Sequence, residues 1–375
     1  MLALKIVFWG SLGALLWTHV GYPIAAALAA RVRRRRVQSS AIEPTVSVVV
    51  AAHNEEDVIE RRVRNLLELD YPADRVEVVV ASDASNDGTD EIVGRMVAAD
   101  RRVRLIRCPR GGKVAAQNHG VAESTGEIVA FSDANAVWQG DALRKLVRSF
   151  ADPAVGYVTG RASYEAADGT NREGAYWRFE LWLRAQESRL GSVTGGNGPI
   201  YAVRRADWKD VEPWCGHDLG LPYLMVQRGR RAVYDPDAVS VEKPSRDIED
   251  EYRRKVRMLR GAWVHVFRGM LRRVGPVYFV ELVSHRLLRY GSGILHILLL
   301  LSSAALVGEG WAYELALALQ LLWLLLAAAG RFRVRIPGAG LAYYYLVVTW
   351  ATLAGLARYV RFGPPLLWER IEGTR

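Results

Sequence analysis

Residues Ile6 to Ala30 carry no charged side chain, and the six residues that follow include five arginines, Arg31, Arg33, Arg34, Arg35 and Arg36. A helix needs roughly 20 apolar residues to cross the hydrocarbon core, where it must satisfy its own backbone. The run therefore predicts a transmembrane helix over residues 1–30 and a basic linker over 31–44. A secretory leader places its basic cluster before the apolar run. Here the cluster follows it, so the positive-inside rule puts the rest of the chain in the cytosol. The net charge of +10 sits largely in arginine clusters beside apolar segments. That pattern suits a membrane face facing anionic lipids, and no nucleic-acid partner is expected. Cys108 and Cys215 show no metal or redox spacing and read as structural thiols.

From Thr45 the pattern changes to short β-branched runs alternating with amphipathic stretches. Thr45–Ala52, Val76–Ala81, Val103–Arg107 and Glu127–Phe131 read as strands. Glu55–Leu69, Thr89–Ala99 and Lys113–Ala122 read as helices, the first opened by Glu55, Glu56 and Asp57 as the helix dipole favours. Alternation of this kind predicts an α/β fold, a mostly parallel sheet with helices on both faces, spanning residues 45–246. In such sheets ligands bind beyond the carboxyl ends of the strands.

The stretch Asp247–Gly275 carries apolar residues at helical spacing with arginines on the other face, as in a helix lying in the headgroup plane, with a surface helix of the globular domain as the alternative. Amphipathic interfacial helices are thus expected over 247–287. About three further spans are expected over 288–362 (near Tyr290–Val307, Leu315–Gly330 and Ile336–Ala357), then a tail over 363–375. Arg331, Arg333 and Arg335 fit the positive-inside rule, whereas Arg358, Arg361 and Arg370 after the last span go against it. Within the spans only His19 and His296 are ionisable, too few for a transport path.

Two aspartates fall where chemistry is expected. Asp83 follows the second predicted strand in the run ASDASNDGT, and Asp133 follows the fourth in FSDAN. Carboxylates at such strand ends call for a counter-charge, which a divalent cation on a diphosphate supplies. Lys113 closes the glycine-rich run PRGGK, where small residues let backbone approach a phosphate. The spacing is not that of a Walker loop, and His53-Asn54-Glu55 stands where a dinucleotide fold has its glycines.

The ordered series Ser47–Glu55, Ser82–Thr89, Gly112-Lys113 with Asn118, Asp133-Ala134-Asn135, Gly195–Gly198 with Tyr201–Arg204, His217-Asp218, Glu242 and Arg253–Arg257 resembles the family 2 glycosyltransferases of the GT-A fold. The flanking spans are similar to the branch that makes poly-N-acetylglucosamine, hyaluronan and cellulose. The resemblance implies a UDP-linked nucleotide-sugar donor held by His53, Asn54, Glu55, Asp83, Lys113, Asp133 and Arg257. It implies Mg²⁺ or Mn²⁺ at Asp133 and Asn135, Asp218 as catalytic base, inversion at the anomeric carbon, and a glycan or lipid acceptor at the inner (plasma) membrane. The metal motif reads Asp-Ala-Asn, and an amide oxygen is a weaker ligand than a carboxylate. His217 is therefore either an extra ligand or an ordinary hydrogen-bonding histidine. The synthases' QxxRW motif lacks its Gln and Trp here, which leaves processive polymerisation open. Trp177 and Glu180, in the aromatic-rich stretch Glu173–Arg189, are candidates for stacking on an acceptor sugar or for plain packing. A polyprenyl-phosphate sugar transferase and a non-catalytic nucleotide-sugar sensor are the competing readings.

Overall fold

The computed structural model describes residues 1–164, 174–243 and 248–364. Glu173, Asp247, Arg370 and the tail from residue 365 onward lie outside the described residues. The amino-terminal helix runs as α1 (Leu2–Leu16), a π-helical turn Trp17–Gly21, and α2 (Tyr22–Val32). The elements that follow are β1 (Val46–Ala52), α3 (Ile59–Leu67), β2 (Val76–Asp83), α4 (Thr89–Ala99), β3 (Val103–Cys108), α5 (Lys113–Ala122) and β4 (Ile128–Asp133). Then come β5 (Val137–Trp138), α6 (Ala142–Arg148), β6 (Val155–Tyr164), α7 (Ala175–Leu190), β7 (Tyr201–Arg204), α8 (His217–Gln227) and β8 (Arg231–Glu242). The carboxyl-terminal part holds α9 (Ile248–Phe267), α10 (Pro276–Glu281), a π-helical turn Leu282–Leu287, α11 (Leu288–Tyr290), α12 (Ser292–Ala305), α13 (Trp311–Arg331) and α14 (Ala339–Phe362).

These elements form two compact units. One contains Ala26–Ser245 and Arg268–Tyr278; the other contains Met1–Ala25, Arg246–Phe267 and Phe279–Pro364. In the first, one eight-stranded sheet has the order β3-β2-β1-β4-β7-β6-β8-β5. The half β3-β2-β1-β4 is parallel, as the βαβ pattern predicts. Beyond it β7 pairs antiparallel with both β4 and β6, so the sheet as a whole is mixed.

Period-two alternation decides which residues cover each face. Val48, Val50, Val78, Val80 and Ala130 pack with Ile59, Val63 and Leu66 of α3. The alternate residues Val49, Val79, Val129 and Phe131 pack with Val114 and Val121 of α5 and with β7. Every residue of β1 is buried, which explains why the strand is a continuous β-branched run. Burying each valine contributes about 1.5–3 kcal/mol. The first helix starts at Ile59, four residues later than its acidic opening suggests, because Asn54 takes a left-handed φ of 55° and the Glu55 amide donates to Thr89 Oγ1.

His217 belongs to the second face. Its ring lies edge-on to Phe131, Tyr201 and Trp208, at centroid distances of 5.3, 6.0 and 5.3 Å. Nδ1 pairs with the Tyr201 hydroxyl at 2.8 Å. Burial, helped by the nearby Lys113 charge, pushes its pKa down to about 3, so the imidazole is neutral.

The second unit holds the long apolar helices. Among the described residues Leu2–Val32, Trp311–Arg331 and Ala339–Phe362 are long and apolar enough to cross a membrane. Pro276–Tyr290 and Ser292–Ala305 form a further pair bent by 65°. Trp17 Nε1 and Thr18 Oγ1 bind Ser284 Oγ and its carbonyl at 2.8 and 2.5 Å, which joins the two π-helical turns. Lys5 pairs with Glu309 at 3.0 Å at the other end of α1.

Two stability predictions follow from this packing. A Cβ at Gly126 would sit 2.5 Å from the backbone nitrogen of Ser47 in β1, which cannot yield without moving the strand. Gly126→Ala should therefore destabilise by about 1–3 kcal/mol and lower the melting temperature of the purified protein. For His217 the folded state binds fewer protons than the unfolded one below the unfolded pKa of about 6.5. Stability should be fully present above that pH and fall as pH drops toward 3. His217→Gln should flatten the slope; an unchanged slope would contradict the buried neutral imidazole. His265, lowered to about 4 by burial, contributes a second slope that persists in this variant.

Candidate active site

The parallel half of the sheet places the two aspartates. Asp83 ends β2 and Asp133 ends β4, the strands on either side of β1. Two strand spacings of about 4.8 Å and a two-residue stagger of about 6.6 Å separate them, so they start about 12 Å apart and each needs its own neutralising group. One loop, between β3 and α5, supplies both. Asp83 is fully buried, accepts from the amides of Gly111 at 2.7 Å and Gly112 at 3.1 Å, and pairs with the Arg110 guanidinium. Gly112 has a φ of 86°, a left-handed conformation that turns its amide toward the carboxylate. One residue on, Lys113 at the start of α5 pairs with Asp133.

The segment after β1 is sewn to the segment after β2. His53 Nδ1 lies 2.8 Å from the Asp83 carbonyl oxygen, the Asn54 amide donates to Ser85 Oγ at 3.2 Å, and Asn54 Oδ1 accepts from the Asn86 amide at 2.9 Å. Glu55 is 2% exposed beneath this wall. The sequence-predicted nucleoside residues His53, Asn54, Glu55 and Asp83 therefore share one corner.

Lys113, Asp133 and Asp218 share another. Asp218 stands in the first turn of α8, where its Oδ1 accepts from the Leu219 amide at 3.0 Å. Burial raises its pKa, Asp133 raises it further, and Lys113 opposes both. Burial pulls the Lys113 ammonium down, but the charges of Asp133, Asp218 and Glu242 outweigh it and hold the pKa above the usual lysine value. The Gly195–Gly198 loop closes over this group. A Cβ on Gly198 would lie 3.6 Å from Asp133 Oδ2 and 3.9 Å from Lys113 Nζ. Asn197 fixes the loop through its amide to Thr159 Oγ1 at 2.9 Å and by accepting from Arg184 at 2.6 Å.

Asn135 lies half-buried in the turn two residues past Asp133. Among the described residues no three His, Cys, Asp or Glu side chains gather into a metal-binding group. The oxygen donors of Asp133 and Asn135, with open backbone at Gly198, nevertheless fit Mg²⁺ or Mn²⁺, which use one or two protein ligands and take the remainder from phosphates and water.

Trp177 and Glu180 lie on α7. Trp177 Nε1 donates to the Ala162 carbonyl at 2.9 Å, its ring meets Tyr164 edge-on at 5.5 Å, and Arg184 lies over it at 5.8 Å. Glu180 is 7% exposed. Arg257 lies half-buried on α9, in the unit that holds the apolar helices.

Sequence reasoning missed two cations. Arg110 carried a signal, its place in the PRGGK loop beside Lys113. Arg62 carried a fainter one, a charge inside the apolar stripe of α3. It is 1% exposed, lies over Trp138 at 5.0 Å and donates to the Ala136 carbonyl at 3.1 Å. Burial lowers its pKa to about 9, against the charges of Asp133 and Glu242.

Comparison with known proteins agrees with this geometry. Residues 47–210 match the model of glycosyl transferase family 2. A β-monoglucosyldiacylglycerol synthase of Trichormus variabilis is 33% identical over 220 residues, 57% of this chain and 47% of that protein. An N-acetylglucosaminyltransferase of Rhizobium meliloti is 26% identical over 270 residues, 65% of this chain and 62% of that protein. The chain spans about half the length of the first of these relatives. In structure it is similar to a mannosyltransferase of Pyrobaculum calidifontis solved with GDP-Man and Mn²⁺. The TM-score is 0.72 and the identity 24%, covering 96% of this chain and 97% of that one, a likeness of fold. The strand-end aspartates and the loop that neutralises them thus lie in a family 2 glycosyl transferase domain with the GT-A fold, which this chain carries.

Proposed function

We propose that the protein is an inverting glycosyltransferase that moves a sugar from a nucleotide-sugar donor, UDP-linked, to a membrane-associated acceptor in exopolysaccharide or cell-envelope glycan synthesis. Residues 45–246 would form its cytosolic catalytic domain, held at the inner membrane by multiple spans, with the basic linker 31–44 on the cytosolic side. The observation that carries the reading is the carboxyl group of Asp218, raised above its usual range and within electrostatic reach of Lys113 and Asp133.

In this reading the wall formed by His53, Asn54, Glu55 and Asp83 holds the nucleoside, and Lys113 faces the diphosphate. A divalent ion at Asp133 and Asn135 would neutralise charge on the departing diphosphate. Asp218 takes the proton of the acceptor hydroxyl as its oxygen bonds to the anomeric carbon. The bond to the diphosphate oxygen breaks on the opposite face, and its electron pair leaves with the nucleotide. A single base with in-line attack inverts the anomeric configuration. The relative named for monoglucosyldiacylglycerol synthesis favours a second acceptor class, a membrane lipid.

Nucleotide release from a panel of nucleotide sugars, with lipid and oligosaccharide acceptors, tests the proposal. One donor should turn over, a chelator should abolish release, and Mg²⁺ or Mn²⁺ should restore it. Asp218→Asn should lower kcat about 10²–10⁴-fold with donor affinity retained. Full turnover by this variant would point to a phosphate nucleophile, which has no proton to lose. Since the base acts ionised, turnover should fall as pH is lowered, with an inflection above the ordinary aspartate value of about 3.9. Lys113→Met removes the opposing cation and should move that inflection higher.

A further inference from the structure

α14 is 24 residues long and passes as a membrane span on length and hydropathy. Its packing says otherwise. It lies beside α9, and α9 carries eight charged residues between Glu249 and Arg260: Glu249, Asp250 and Glu251, then Arg253, Arg254, Lys255, Arg257 and Arg260.

The two helices touch along most of α14. Near its start the Tyr344 hydroxyl donates to Glu251 at 3.5 Å. Past the middle a Cβ on Gly355 would lie 2.8 Å from Leu259 Cβ. Farther along, the Tyr359 ring stacks on Phe267 at 5.5 Å and 5°. At the end Arg260 donates to the carbonyls of Gly363 and Phe362 at 2.9 and 3.2 Å, capping the helix with a cation. From Tyr344 to Phe362 the helix runs about 27 Å, close to the roughly 30 Å hydrocarbon thickness. If α14 crossed the bilayer, it would carry Glu251 to Arg260 in with it. Each such charge costs about 2.5–3.5 kcal/mol at the bilayer centre on insertion scales.

α14 also touches α12: Tyr345 binds His296 Nε2 at 2.8 Å, and Thr352 accepts from the Gly293 amide at 3.3 Å. Composition agrees: Tyr343, Tyr344, Tyr345, Trp350 and Tyr359 are residue types that gather at the headgroup level. Arg331, Arg333 and Arg335 before the helix and Arg358 and Arg361 at its end are all exposed. Placing both ends on one face puts all five arginines on that face, which removes the conflict with the positive-inside rule.

We propose that α14 lies in the membrane plane beside α9, that both its ends stay on the face where α9 lies, and that the pair's partner is the headgroup–acyl boundary of a lipid bilayer. The inference rests on the membrane reading above. It is tested with single cysteines in the full-length protein in sealed vesicles, labelled with a membrane-impermeant maleimide before and after permeabilisation. The native Cys108 and Cys215 are buried. Arg253→Cys marks the α9 face, Val307→Cys marks the turn between α12 and α13, and Arg335→Cys and Val360→Cys report the two ends of α14. Both reporters should label from the same side as Arg253→Cys, with Val307→Cys labelling from the other. Val360→Cys labelling with Val307→Cys would overturn the in-plane helix while leaving the membrane reading intact. All four labelling from one side would overturn both. An epitope appended to the carboxyl end of the unsubstituted chain gives the same answer by protease protection, should a cysteine variant fail to fold.

Discussion

The interaction on which the site depends is the neutralisation of two strand-end carboxylates by one loop. Asp83 and Asp133 flank β1 because the parallel register leaves them no other place. Arg110 and Lys113, three residues apart, reach one each. Without those cations, a fully buried Asp83 would be an uncompensated charge and strongly destabilising. The glycines between the cations supply amides to Asp83, and the helix that starts at Lys113 packs its valines on the same sheet. Charge pairing, loop conformation and core packing therefore share one stretch of chain, Cys108 to Val121.

Asp218 depends on that arrangement at one remove. Its carboxyl is raised by burial and by Asp133 and restrained by Lys113. The same lysine thus serves a strand-end carboxylate and tempers the group proposed as base. The Gly195–Gly198 loop, pinned by Asn197, keeps backbone close to Asp133 where a larger residue would crowd it. The outcome is a cluster of oxygen donors and one ammonium, of the kind that a diphosphate with a divalent ion complements.

Much of this was legible in the sequence, and the reasons differ by region. β1 to β4 announce themselves as β-branched runs, and α4 and α5 begin and end where their amphipathic pattern does. β6, β7 and β8 were not anticipated, since β7 pairs with β4 across some seventy residues and local pattern says nothing of such pairing. Asp83, Asp133 and Lys113 stood out by position after strands. Arg62 did not, because a buried arginine on an apolar helix face looks like a surface charge until Trp138 and the Ala136 carbonyl are seen around it. Hydropathy marks α14 as a span, but the charges that bear on its placement lie on another helix.

The most direct test of the account is a structure of the protein with a nucleoside diphosphate and Mn²⁺, in which anomalous scattering locates the metal. The account predicts a metal peak beside Asp133, the diphosphate between it and Lys113, and the nucleoside against Asp83 and Asn54. A nucleotide bound away from the carboxyl edge of β2, β1 and β4, or a metal distant from Asp133, would contradict it.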